Sequence, residues 1–303
     1  MQNSKAPCFV TEIDLQLAEK LKRDLVSQGF SLEKPVYTLF QAKKSGISVT
    51  LYTSGKLTVQ GKGKEEFITY YLEPEILGNV SYSYPHAEVE KHARIGIDEA
   101  GKGDYFGPLC IGGLYVNGEE DIERLLKLGV KDSKTLVDST ILKLAREIKK
   151  GFKTSVIKIF PKRYNEMYAT FHNLNHLLAW GHATAIEKLV EETSCKEVII
   201  DQFASEHVVE KALAKKSLEV HLTQRHKGEE DPAVAGASIL ARAAFVEGIE
   251  ELEREHRLTL PKGASPAVKQ AARKALQLYG QEILPKIAKM HFKTTQELLK
   301  DHA

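Results

Sequence analysis

The sequence predicts an α/β fold for most of the chain, preceded by a smaller α+β unit. Two observations carry this. From Ala93 onward, strand-like and helix-like segments alternate, the pattern of a sheet covered by helices. Ahead of that, short strand-like runs cluster between residues 36 and 60 behind one amphipathic helix. The length of 303 residues exceeds a usual single domain, in keeping with two units. We place them at residues 1–80 and 93–303, joined by a linker at 81–92.

Ile13, Leu17, Leu21 and Leu25 recur every four residues, with Leu15 beside them, so a helix is expected from Thr11 to Gly29. Thr11 would cap it, with Asp14 three residues on, and Gly29 would stop it. Strands are expected at 36–40, 47–52 and 56–60, with Ser54-Gly55 turning the last pair into a hairpin, then a helix at 65–72. This unit is either a structural appendage or a binding platform. Lys43, Lys44, Lys56, Lys62 and Lys64, with Tyr37, Phe40 and Tyr52, are the candidates for binding. Gly78 to His92 has few periodic apolar positions and reads as connection. Beyond it come strands at 94–98 and 109–116, helices at 121–128 and 136–149, and a strand at 154–160. A long amphipathic helix at 175–192 follows, then strands at 197–201 and 218–222. An Ala-rich helix at 231–256 and further helix at 266–303 complete the pattern.

Composition narrows the function. Hydrophobic residues make up 42% of the chain, enough for packed cores, and the net charge is only +2. Any nucleic-acid contact must therefore come from a local basic face. The three cysteines, Cys8, Cys110 and Cys195, are too scattered for a zinc site or a disulfide framework. No signal pattern opens the sequence, and no apolar run approaches the roughly 20 residues that span a bilayer. A cytoplasmic protein without a membrane partner, monomeric, is the expectation.

The chemistry lies in acids. Gly96-Ile97-Asp98-Glu99 is an apolar strand ending in two carboxylates, and Gly101-Lys102-Gly103 follows at once. Val198-Ile199-Ile200-Asp201 ends another apolar strand in a third carboxylate, and Glu229, Glu230 and Asp231 precede the Ala-rich helix. Were the two strands neighbours, their acids would converge and repel one another in a poorly solvated site. Hard divalent cations, Mg²⁺ or Mn²⁺, would relieve that repulsion and clamp a phosphoryl displacement. Since strand side chains alternate in face, Asp98 and Glu99 cannot both point one way, and Asp98 is taken as the bridging ligand. Blander roles remain for each: a solvated strand end for Asp98 and Glu99, a helix cap before Pro232 for Asp231. Of the histidines His172, His176, His182, His221 and His226, no pair shows metal-ligand spacing on a helix with a general base, and most read as packing or surface residues. Gly101-Lys102-Gly103 alone is a weak signal, being neither a dinucleotide fingerprint nor a P-loop.

The segment Gly96-Ile97-Asp98-Glu99-Ala100-Gly101-Lys102-Gly103-Asp104-Tyr105-Phe106-Gly107-Pro108-Leu109 resembles the first active-site segment of type 2 ribonucleases H, in particular the ribonuclease HIII branch. Asp132-Ser133-Lys134, Val198 to Ala204, and Lys227-Gly228-Glu229 with Pro232 to Arg242 are similar to later blocks of that family, in the same order. Pro261-Lys262-Gly263-Ala264-Ser265 also has the look of this branch. The resemblance covers about residues 93–265. It implies a ribonuclease H-like mixed sheet flanked by helices, behind a small TATA-binding-protein-like domain that binds substrate. It also implies cleavage of the RNA strand of RNA–DNA hybrids with Mg²⁺ or Mn²⁺, leaving 3′-hydroxyl and 5′-phosphate ends. By the same resemblance Asp98, Glu99 and Asp201 bind metal. Glu229 is the fourth acid, with Asp231 as rival because the Glu229 to Pro232 spacing is one residue short of the family pattern. Gly101, Lys102 and Gly103 would meet the RNA sugar, and Ser133, Lys134 and Arg242 would contact phosphate.

Overall fold

The computed structural model describes residues 8–78, 92–130, 136–201, 206–225 and 228–300, without the side chains of Glu206 and Glu229. The chain separates into two compact units, Met1–Glu88 with Leu126–Gly129, and Val89–Leu125 with Val130–Ala303. Apart from His92, the linker expected at 81–92 lies outside the described residues.

The N-terminal unit is an antiparallel sheet with helices packed on it. Its elements are β1 (Cys8–Glu12), α1 (Ala18–Ser27), β2 (Ser31–Glu33), β3 (Thr38–Lys44), β4 (Ile47–Tyr52), β5 (Lys56–Gln60) and α2 (Lys64–Phe67). A π-helical stretch, Ile68–Leu77, continues from α2. The strands run in the order β1-β5-β4-β3-β2. The expected helix from Thr11 is corrected: Thr11 belongs to β1, and α1 starts only at Ala18 after a 3-10 turn. Asp14 caps that turn by accepting from the Gln16 amide at 2.9 Å. Leu21 and Leu25 reach the core as the four-residue spacing required, whereas Leu15 is exposed. Val36 and Tyr37 stand outside β3 and are exposed, with Tyr37 at φ 65. Phe40 and Lys64, named for the platform, are buried instead.

The C-terminal unit follows as β6 (Arg94–Ala100), β7 (Leu109–Val116), α3 (Glu119–Lys127), α4 (Asp138–Gly151), β8 (Thr154–Ile159), α5 (Pro161–Phe171) and α6 (Leu174–Thr193). It continues through β9 (Glu197–Asp201), α7 (Glu206–Ala214), β10 (His221–Arg225), α8 (Pro232–His256), α9 (Pro266–Tyr279), α10 (Leu284–Ile287) and α11 (Lys293–Lys300). Strand order is β10-β9-β6-β7-β8. The pairs β10–β9 and β9–β6 are parallel, while β6–β7 and β7–β8 are antiparallel, so the sheet is mixed. The strand expected at 218–222 forms three residues later, at β10. Helices α5 and α7 carry no expectation from the sequence pattern.

Two helices cover β6 and β7 from opposite faces. Ile95, Ile97 and Ile111 join the core built with α6. On the other face α8 lies close because the strands offer glycine there. A Cβ at Gly96 would sit 2.3 Å from the Ala233 carbonyl carbon, and one at Gly112 would sit 2.2 Å from the Ala237 oxygen. Any larger residue would push α8 off the sheet. Among the described residues α8 is the one helix long and apolar enough to cross a membrane, but 89% of its most apolar window is buried in this core. Its apolarity is therefore that of a core helix.

Candidate active site

Register brings the acids together. Strands β6 and β9 run parallel, with Ile97 opposite Ile200. The pairing ends there, and one residue further Asp98 and Asp201 follow on the same face of their strands, near enough for the Asp201 charge to act on Asp98. Neither Asp98 nor Glu99 is at a frayed end, as the sequence suggested: β6 runs on to Ala100 and stays paired to β7. Asp98 faces α8. It takes a hydrogen bond from Ser238 and one from the Glu99 amide at 2.8 Å. Burial pushes the Asp98 carboxyl up to about 7, aided by the negative charges of Glu99 and Asp201 and only partly opposed by those hydrogen bonds.

Glu99 points to the opposite face, toward α6. Its Oε2 lies 3.1 Å from His182 Nε2, and its Oε1 accepts from Lys102 Nζ at 2.5 Å. Burial alone would raise this carboxyl, but His182 and Lys102 together outweigh burial and hold it down, at about 2. His182 is wholly buried, and its bond to Glu99 corrects the reading of it as a packing or surface histidine. The one signal in the sequence was a polar residue within the apolar face of a long helix. Its partner, 83 residues away, was not readable.

The two candidates for the fourth acid differ in what surrounds them. Asp231 Oδ1 caps α8, accepting from the Ala233 amide at 2.8 Å, while Oδ2 accepts from Arg94 Nε at 2.8 Å and forms an ion pair with the same guanidinium, its Nη2 at 2.8 Å. Both oxygens are engaged and both partners are buried, so Asp231 acts as a structural anchor. Glu229 lies in the 3-10 turn Gly228–Glu230, and its side chain lies outside the described residues. The neighbouring Gly228 amide donates to Asp201 Oδ1 at 2.9 Å, so the chain bearing Glu229 passes directly beside the third acid.

The loop after β6 is built to stay put. Gly101 has φ +87, and a Cβ there would meet the Pro108 oxygen at 2.3 Å. Asp104 accepts from the Gly263 amide at 2.6 Å. Lys289, fully buried, donates to the carbonyls of Asp104, Phe106 and Gly107 at 2.8, 3.3 and 2.7 Å. Burial draws its ammonium down to about 7. Sequence reading missed Lys289, which lies in a stretch expected to be helix. Lys102 is half exposed on Glu99, and Gly103 has open space where a side chain would be. Arg242 stands one helical turn beyond Ser238 on α8 and lies 3.7 Å from Asp138, which Lys262 also contacts. Ser133 and Lys134 lie outside the described residues.

The donor set suits a hard dication, since carboxylate oxygens at the site repel one another in low dielectric. Among the described residues, however, no three His, Cys, Asp or Glu side chains are gathered closely enough to hold an ion as they stand. Glu99 is instead drawn to His182 and Lys102. Asp98 and Asp201 thus share one face of the sheet, with Glu99 turned to the other.

Carboxylates on adjacent strands of a mixed sheet, below a helix seated on glycines, define an enzyme of ribonuclease H type. A family model described as ribonuclease HII matches residues 95–295, and one for a domain of unknown function matches residues 8–81. Ribonuclease HIII of Protochlamydia amoebophila is 54% identical over 296 residues, covering 98% of each chain. That of Chlamydia felis is 47% identical over 292 residues, covering 96% of this chain and 97% of its own. A crystal structure of Bst-RNase HIII in complex with Mn²⁺ superposes with TM-score 0.66 at 29% identity, covering 97% and 98% of the two chains. Aquifex aeolicus RNase H3 gives 0.55 at 29% identity, covering 93% of this chain and 99% of its own. The chain belongs to the type 2 ribonuclease H family, in its ribonuclease HIII branch. It is a metal-dependent endoribonuclease of RNA–DNA hybrids.

Proposed function

We propose that the chain hydrolyses the RNA strand of a hybrid with the help of two divalent cations, leaving 3′-hydroxyl and 5′-phosphate ends. One observation carries this reading: Asp98 and Asp201 lie on the same face of neighbouring parallel strands, and the Asp98 carboxyl is buried there with the charges of Glu99 and Asp201 acting on it. Asp98, Glu99 and Asp201 hold the cations, Mg²⁺ or Mn²⁺, and Glu229 is the fourth acid. When bound, such ions favour the hydroxide form of the attacking water and stabilise the leaving oxygen. The Mn²⁺ in the Bst-RNase HIII crystal is in keeping with this donor chemistry.

The chain's own residues then divide the work. Asp98 is fixed by Ser238 and the Glu99 amide, so its oxygens are aimed before substrate arrives. His182 keeps Glu99 ionised and oriented. Lys102 neutralises Glu99, and were a cation to occupy that carboxylate, the Lys102 ammonium would be released to pair with a substrate phosphate. The Gly101-Lys102-Gly103 backbone approaches the ribose 2′-hydroxyl, which is what separates RNA from DNA. Arg242, with Ser133 and Lys134, contacts backbone phosphate. Residues 1–80 form a substrate-binding domain, residues 81–92 a linker and residues 93–303 the catalytic domain. The first of these grips the hybrid without reading bases, so affinity falls with salt.

The test is incubation of labelled hybrid, duplex RNA and duplex DNA with Mg²⁺, Mn²⁺ or EDTA. Cuts confined to the RNA strand of the hybrid, abolished by EDTA and by Asp98→Asn with binding retained, are expected. Equal cutting of duplex DNA would refute the substrate assignment. Cutting in EDTA would refute the mechanism.

A further inference from the structure

Helices α6 and α7 leave between them a groove of about 400 Å³ that the cleavage chemistry does not use. Phe171, Trp180, Val208 and Ala212 line it, half-buried against the core beneath. Its rim is basic. His207, Lys211 and Lys215 follow one another at four-residue spacing along α7 and its end, and all are exposed. His176 stands one turn before Trp180 on the facing helix. Among the described residues Lys211 and Lys215 make no ion pair, whereas Lys216 is tied to Glu187 at 2.5 Å and His207 lies 4.0 Å from Glu210.

An aromatic floor under a row of lysines has a chemical meaning. Flat rings offer a stacking surface to any base, and lysines at helical spacing meet successive phosphates. An acidic peptide would satisfy the lysines but leave the Trp180 and Phe171 rings without a planar partner. The groove is also close to the acids. His182, two residues from Trp180, points to the opposite side of α6 and touches Glu99. The groove therefore lies about one helix diameter, roughly 10–12 Å, from Glu99. On the other wall, α7 begins five residues after Asp201.

We propose that this groove binds a single-stranded extension of the RNA strand, with a base on Trp180 and phosphates on Lys211 and Lys215. The RNA strand is favoured because it is the one seated at the acids, and it need only continue past α6. This rests on the hybrid-cleaving reading in that the occupant is part of that substrate. The groove gives the enzyme a preference for hybrids whose RNA strand continues unpaired.

Trp180 is the sole tryptophan of the chain, so its emission reports on this groove alone. The full-length protein in EDTA is titrated with a blunt hybrid, the same hybrid with a short RNA overhang at either end, and one with a DNA overhang. An RNA overhang is expected to quench Trp180 and to bind about tenfold tighter than the blunt hybrid. The double variant Lys211→Glu/Lys215→Glu is expected to lose that advantage while cutting blunt hybrid in Mn²⁺ at the unaltered rate. The proposal falls if overhang and blunt hybrids bind alike, or if the double variant keeps the preference. It also falls if a DNA overhang or polyglutamate quenches as strongly. A protein that cuts no blunt hybrid at all would instead bring down the underlying reading.

Discussion

Replacing Asp98 by asparagine removes a charge that the fold tolerates poorly. In the folded protein this carboxyl is moved from 3.8 to about 7, first by burial and then by the charges of Glu99 and Asp201. Below pH 3.8 the group is protonated in folded and unfolded chains alike. Between about pH 4 and pH 7 the fold keeps a proton that the unfolded chain has released, so stability is lost as pH rises through that window. At 1.36 kcal/mol per pH unit, the ionised form costs the metal-free protein up to about 4 kcal/mol at neutral pH. For a catalytic unit of this size that is roughly 8–16 °C in Tm, and recovery of even half would give at least about 4 °C. Asparagine keeps an oxygen for the Glu99 amide, so little else should change. We expect Asp98→Asn, in EDTA, to melt at least about 4 °C above the parent at pH 7.5 and level with it at pH 3.5. It should also lose cleavage entirely. Saturating Mn²⁺ should raise the Tm of the parent and leave the variant unmoved. Thermal denaturation across pH checks this. A variant less stable at pH 7.5, or a gap independent of pH, would refute the claim that the ionised, buried Asp98 carboxylate is what the cation relieves.

Other expectations concern neighbouring residues. Asp231→Ala strands the buried Arg94 guanidinium and uncaps α8, so urea denaturation should show a loss of about 3–5 kcal/mol, with activity per folded molecule retained. Glu229→Gln should do the reverse, leaving the urea midpoint in place while lowering kcat at least about tenfold. His182→Ala should lower kcat without raising KM for the hybrid, because it releases Glu99 and not the substrate. A rise in KM alone would argue against that. Gly96→Ala drives a Cβ into Ala233, and stability measured by urea should drop by about 1–3 kcal/mol or more. Deleting residues 1–80 should weaken hybrid binding more than it slows turnover at saturating substrate, as a filter-binding and single-turnover comparison would show.

Much of the site was legible because it is written in short local runs. Ile95 and Ile97 demand a buried strand, and a carboxylate at the next position has little reason to be there without a cation. Val198 to Asp201 repeats the same phrase, and Asp231-Pro232 reads as a cap, which it is. The errors were also local. Thr11 reads as a helix start by spacing alone, yet it pairs with Leu57 in a sheet, because strand pairing overrode the helical pattern. Phe40 and Lys64 were named for a surface by residue type, but their burial depends on which face of β3 and α2 packs inward.

Residue order by itself determined which segments become strands and helices around the acids, which carboxylates end apolar runs, and to which family the motifs are similar. Tertiary structure decided what those residues meet. The pairing of β6 with β9 put Asp98 beside Asp201, α6 brought His182 to Glu99, and α8 gave Asp231 to Arg94 instead of to the acids. Periodicity is a property of a few neighbouring residues and survives in one dimension. Charge, burial and hydrogen bonding at a site arise between elements a hundred residues apart, so they exist only once the sheet has closed.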